Sequence, residues 1–220
     1  MPGDPFTLVA TLVVLVYSIV LHEVAHGRVA KAFGDPTAEE AGRLTFNPIP
    51  HLDPMLSLAL PAVSLWASNG AIAFGSARPV PVNPLRLRPP SAGILVAAAG
   101  PATNVALGLG AGLLWGVFLR TGVFDPGDAG TRVLRQATAM NFFLVAFNLL
   151  PIPPLDGSRV LGGLFPRTLG RVLGALEPYG FLILVALMFS RAFDGVFAAT
   201  AGPATSGWLR LVERTIVRAG

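Results

Sequence analysis

Residues 6–33 read FTLVATLVVLVYSIVLHEVAHGRVAKAF, and this stretch decides the class of the molecule. Phe6–Leu21 carries no charge and is apolar on every side, while the half that begins at His22 turns polar along one side. No Gly or Pro interrupts the first half, and Gly34-Asp35-Pro36 stops what precedes it,. At about 1.5 Å per residue the predicted helix over 6–33 is about 42 Å long, enough to cross a bilayer. Asp4 is the only charge ahead of it, and His22-Glu23 follows where a secretory leader would carry small residues. The run therefore reads as mature structure and not as a signal peptide.

Three further stretches lack Asp, Glu, Lys and Arg: Pro54–Ala77, Pro89–Leu119 and Gln136–Leu155. Over the whole chain 53% of residues are hydrophobic and 13% charged, against about 25% charged in an ordinary soluble domain. The expectation is an all-α membrane protein, a polytopic helical bundle. Helices are predicted at 92–119, 132–150 and 178–199. The first of these carries Gly108, Gly112 and Gly116 at the spacing that lets membrane helices approach closely,. Residues 54–68, interrupted by Pro61, read as a re-entrant segment, and 71–83 as an extended strand or small β-hairpin. Residues 157–176 read as an amphipathic connection and 206–218 as an amphipathic tail helix. The chain is taken as one domain over 1–220, with its core at about 6–200. It has no cysteine, which excludes disulfides and thiolate metal sites. The net charge of +4 sits in short Arg-bearing loops. That pattern suits the cytoplasmic flank of a membrane and argues against a nucleic-acid partner.

The chemistry starts at His22-Glu23-Val24-Ala25-His26. On a helix the two imidazoles, four residues apart, share one face and can share one metal ion, with the intervening Glu near its bound water. Ionisable groups inside a membrane helix are costly, and their default reading is functional. Two ligands leave zinc short of the three protein ligands a hydrolytic site uses. The best third candidate is Asp156, at the end of Asn148-Leu-Leu-Pro-Ile-Pro-Pro-Leu-Asp156-Gly157, where prolines break the helix. Asn148 can donate a hydrogen bond to the oxyanion of an attacked carbonyl, or bond another helix. The same two readings apply to Asn104. His51 and Asp53 form a weaker pair: Asp53-Pro54 reads as a helix start, and His51 as an outer support. A substrate helix must be unwound to be cut, and Ala71–Gly75 or Arg78–Val82 could offer an edge for it to pair with.

These residues resemble the site-2 protease family of intramembrane zinc metalloproteases, in its short bacterial form without a PDZ domain. The likeness rests on the His22–His26 motif, Gly100-Pro101-Ala102-Thr103-Asn104 and the Asn148–Gly157 run, in the family's order. Gly42–Pro48 and Ala77–Asn83 also look like the short form. The resemblance implies one Zn2+ held by His22, His26 and Asp156, with Glu23 as general base and Asn148 supporting the tetrahedral intermediate. It further implies a multi-pass protein of the cell membrane, an active site reached from the cytoplasmic side, and membrane-anchored protein substrates. The competing readings are a membrane zinc-binding or zinc-transport protein and a catalytically silent relative that binds membrane helices.

Overall fold

The structure, a computed structural model, describes residues 4–53, 77–189 and 192–218, and every regular element among them is a helix. Helix α1 (Pro5–Ala32) starts at Asp4, whose carboxylate accepts from Thr7 N at 2.8 Å and Thr7 Oγ1 at 2.6 Å and pairs with Arg132. The Thr7 hydroxyl and N–H, with Arg132, hold that carboxyl down to about 2. Helix α2 (Ala92–Arg120) runs antiparallel to α1, and α3 (Ala129–Asn148) runs parallel to it. These three helices form the centre of the bundle. The chain continues through α4 (Asp156–Leu164), α5 (Leu169–Leu176), α6 (Gly180–Phe189), α7 (Ala192–Ala199) and α8 (Ala201–Val212).

The distribution of side chains is inverted relative to a water-soluble domain. On α1, Phe6, Leu8, Val9, Leu12, Val13 and Tyr17 are exposed, while Thr7 and Ser18 are buried. Apolar surface facing outward and polar groups sealed between helices is the arrangement a hydrocarbon solvent requires. Pro5–Ala32, Ala92–Arg120 and Leu169–Leu187 are long and apolar enough to cross a membrane.

The small residues of α2 recur every fourth position and admit their neighbours. A Cβ on Gly108 would lie 3.3 Å from Asn141 Cβ, and one on Gly112 would strike the Trp208 ring. Inside this contact Asn104 Nδ2 donates to Asn141 Oδ1 at 2.9 Å, and Asn141 Nδ2 donates to Ser18 Oγ at 3.0 Å. One polar chain thus ties α1, α2 and α3 together.

The expected span at 178–199 runs across residues outside the described set; among the described residues the apolar helical stretch is Leu169–Leu187, where α5 passes through a 3-10 turn (Glu177–Tyr179) directly into α6. The expected strand over 71–83 is not seen in its described part, where 77–83 run without regular structure. Ala71–Gly75 and the re-entrant segment at 54–68 lie outside the described residues.

Gly34, with φ of +95°, ends α1 and turns the chain,. Just beyond it Asp35 is fully buried, and its carboxylate accepts from Thr37 N at 3.1 Å, the Thr37 hydroxyl and Asn83 N at 2.6 Å. Asp35 therefore clamps the returning 78–88 segment onto the end of α1. Burial pushes its carboxyl up, but the donated hydrogen bonds outweigh this and hold it below its ordinary 3.8. A carboxyl lowered by folding stabilises the fold fully above its unfolded value, and loses that contribution as pH falls through the folded value. Asp35→Asn is expected to lower the unfolding temperature in detergent at neutral pH. The gap from the wild type should narrow as pH falls from about 5 to about 3. Thermal unfolding of both proteins across that range checks it.

Candidate metal centre

His22 and His26 lie one turn apart on α1, with ring centroids 4.7 Å apart. Each ring is oriented by one hydrogen bond from α2. His22 Nδ1 lies 2.6 Å from Asn104 Oδ1, and His26 Nδ1 lies 2.7 Å from the Val96 carbonyl oxygen. Both of those oxygens can only accept, so each Nδ1 carries the proton and each Nε2 is left as a bare lone pair. The Asn104 amide cannot reverse this at low cost, because its Nδ2 is committed to Asn141 Oδ1.

The two Nε2 atoms face each other at 3.1 Å. Asp156 Oδ2 completes a triangle, 3.1 Å from His22 Nε2 and 3.3 Å from His26 Nε2. Asp156 is the first residue of α4, delivered by the proline-rich turn after α3. Gly157 packs that turn: a Cβ there would strike the Leu149 carbonyl. His22, His26 and Asp156 are 6%, 8% and 8% exposed, so water does not screen them, and Asp156 Oδ2 has no hydrogen-bond donor. Three buried acceptors aimed at one point repel unless a cation lies between them. Ligands about 2.0–2.1 Å from a tetrahedral Zn2+ stand about 3.3–3.4 Å apart, close to the observed sides. The donor set fits one zinc ion.

Glu23 projects from the same helix, half-buried, and its Oε2 accepts from Val80 N at 2.8 Å. Val80 lies in the 77–83 segment, which Arg43 also holds through the Arg78 carbonyl at 2.6 Å. The ligands and Glu23 open into a cavity of about 960 Å³, lined further by Asn148, Val80, Ile94, Pro153 and Arg159.

The structure brings together His22, Glu23, His26, Asp156 and Asn148. Asn148 lines the cavity with its Nδ2 turned to the Leu144 carbonyl of its own helix at 3.0 Å. Asn104 is fully buried behind His22 and does not line the cavity. His51 is buried away from the ligands, its Nε2 3.0 Å from the Thr45 carbonyl oxygen. Two contributors carried no side-chain signal in the sequence, the Val96 carbonyl and the Val80 N–H, and Gly100, part of the motif named above, has a packing role under the rings. A Cβ on Gly100 would lie 2.5 Å from His22 Cε1 and 2.6 Å from His22 Nε2, and would strike His26 Nε2 as well.

Comparison with known proteins agrees with this chemistry. Residues 128–190 match the sequence model of peptidase family M50. The chain is 38% identical over 189 residues to the candidate zinc metalloprotease YwhC of Bacillus subtilis, covering 83% of this chain and 82% of that one. It is 36% identical over 185 residues to the candidate zinc metalloprotease Rip2 of Mycolicibacterium smegmatis, covering 82% of this chain and 66% of that one. With Rip3 of Mycobacterium tuberculosis, likewise named a candidate zinc metalloprotease, the identity is 27% over 209 residues, 89% of this chain and 42% of that one. No solved structure matches the chain.

Because the histidine rings rest on Gly100, Gly100→Ala is expected to displace both. Zinc retained after purification, measured by plasma emission against protein concentration, should fall at least about tenfold. The helical circular dichroism should stay close to that of the wild type.

Proposed function

The chain belongs to peptidase family M50, and we propose that it hydrolyses peptide bonds of membrane-anchored proteins at the His22–His26–Asp156 centre. It is a membrane zinc metalloendopeptidase. The observation that carries the proposal is the convergence of three buried, donorless ligand atoms beside the Glu23 carboxylate.

His22, His26 and Asp156 would hold the zinc ion. When bound, zinc supplies a Lewis acid that polarises a carbonyl and brings the pKa of water down to about 7. Glu23 acts as the proton carrier: it accepts the proton of the attacking water and returns it to the leaving amine. The Val80 N–H holds Glu23 Oε2 and so fixes the carboxylate rotamer, leaving Oε1 to handle the proton. Asn148 donates to the oxyanion that develops on the attacked carbonyl, its Nδ2 turning from the Leu144 carbonyl to do so,. We assign Asn104 a positioning role, through the His22 Nδ1 hydrogen bond,. The segment Arg78–Val82 runs beside Glu23 and can pair with an extended substrate backbone,.

Access from the cytoplasmic side is supported by the charges. The site lies toward the C-terminal end of α1, the end that carries Arg86, Arg88 and the Arg43–Arg78 contact. Short loops rich in Arg face the cytoplasm.

Glu23→Gln is expected to keep zinc near the wild-type content and to lower cleavage of a single-span reporter protein by at least about a hundredfold. Cleavage near the wild-type rate with zinc retained refutes the base assignment. Asn148→Ala is expected to lower kcat by about a hundredfold with little change in KM, because the proposed bond forms only as the oxyanion develops. Steady-state kinetics on the same reporter separates the two constants.

A further inference from the structure

We infer that Arg159 forms an anion-binding subsite in the active-site cavity and selects substrates that carry an Asp or Glu side chain beside the scissile bond. The inference rests on the peptidase reading above.

The cavity walls are largely apolar, with Val80, Leu87, Ile94 and Leu173 among them. Of the charged groups that line it, Glu23 is engaged by the Val80 N–H and Asp156 faces the two histidines. Two remain, Arg159 and Glu177, and neither makes an ion pair or hydrogen bond with a described residue. The four Lys or Arg ion pairs among the described residues, Lys31–Glu39, Arg86–Glu40, Arg132–Asp4 and Arg218–Glu213, all lie outside the cavity. Arg159 is exposed, and it is the one Lys or Arg among the described residues that line the cavity.

Its place on α4 is also unfavourable for the helix alone. Arg159 lies in the first turn of α4, one turn beyond Asp156 and on the same face,. Cations are stabilising at helix C-termini and disfavoured at N-termini, where the dipole is positive. A cationic side chain and a positive helix end thus reinforce each other beside the metal ligands. Local choices that break a rule without a structural gain concentrate at functional sites. The group that satisfies both is a carboxylate, which the planar guanidinium can bind through two parallel hydrogen bonds. In an endopeptidase the substrate chain continues through the cavity, so the carboxylate is a side chain. From its position just past Asp156, Arg159 meets a residue flanking the cut bond.

The test uses purified full-length protein in detergent. The probes are single-span reporter proteins, identical except for Asp, Asn or Lys placed in turn at each position flanking the cut. For the wild type, kcat/KM at one flanking position is expected to favour Asp over Lys by at least about tenfold. Arg159→Glu should reverse that order, Arg159→Gln should abolish it, and Arg159→Lys should keep its sign at reduced size. Glu177→Gln should leave the sign unchanged. Zinc content and unfolding temperature identify any variant that fails to fold, and the Gln and Lys variants then decide. Glu23-dependent cleavage whose rank order over Asp, Asn and Lys is the same in the wild type and all Arg159 variants overturns the inference alone. This includes the case in which Arg159 merely anchors the protein at the membrane surface. No Glu23-dependent cleavage of any reporter overturns the peptidase reading and this one with it.

Discussion

Two histidine rings on α1 are each held by one hydrogen bond from Nδ1, and both bonds end on α2, at Asn104 and at the Val96 carbonyl. Much of the bundle follows from those two bonds. They set the tautomers, and the tautomers turn both Nε2 lone pairs toward Asp156. They also require the two helices to stand close enough for a backbone carbonyl to reach a ring. That closeness is available because residue 100, directly beneath the rings, has no side chain. Asn104 must in turn be oriented, and Asn141 and Ser18 do this from the third and first helices. In hydrocarbon a polar group left over from this chain would have no water to turn to. The network that supports the site is therefore also what registers α1, α2 and α3 against one another.

The rest of the fold sets an apolar flank and a looped end on either side of that network. The apolar flank of α1 faces outward through its N-terminal half, while the end beyond His26 is wrapped by loops held through hydrogen bonds. Asp35 captures the backbone of Asn83, the Phe33 carbonyl captures Arg88 N, and Arg43 captures the Arg78 carbonyl. Two of these three bonds have a charged side chain at one end, and charge-assisted bonds are the stronger kind. The cavity thus lies between a floor of helices and a looped mouth, a division that suits the proposed hydrolysis of membrane-anchored substrates.

Much of this was legible in the sequence because it depends on local pattern. The uncharged runs predicted α1 and α2 within a residue or two of their observed ends. The i, i+4 spacing of His22 and His26 put both rings on one face, and the prolines before Asp156 marked a break where a ligand could enter. The unread parts depend on register between distant segments. Nothing local distinguishes an Asn104 that faces a cavity from one that stands behind a histidine; its neighbours on α1 and α3 decide. The contributions of Val96 and Val80 come from their backbones, so their side chains carry no trace of them. Residues 157–176 look amphipathic as a block, which hides that Leu169–Leu187 is one helical stretch long and apolar enough to cross a membrane. The segment around 71–83 was read from its Pro and Val content, which favours extended backbone; its described end, 77–83, lies beside Glu23 without regular structure.

The use of a backbone N–H to hold Glu23 has a physical reason. A side-chain partner such as Lys or Arg would form an ion pair and hold the carboxylate in its charged form, which opposes proton uptake. A neutral amide orients the carboxylate with far less charge stabilisation and cannot itself change protonation state. The residues on either side of Val80 are Pro79 and Pro81, which have no N–H to offer,. Along 79–81 the donor at Val80 is therefore unique, and a slip of the segment by one residue would leave Glu23 Oε2 facing a proline. The Pro-Val-Pro pattern thus specifies the register of the loop over the site through the donors it removes. That specification is backed at both ends, by Arg43 on the Arg78 carbonyl and by Asp35 on Asn83 N.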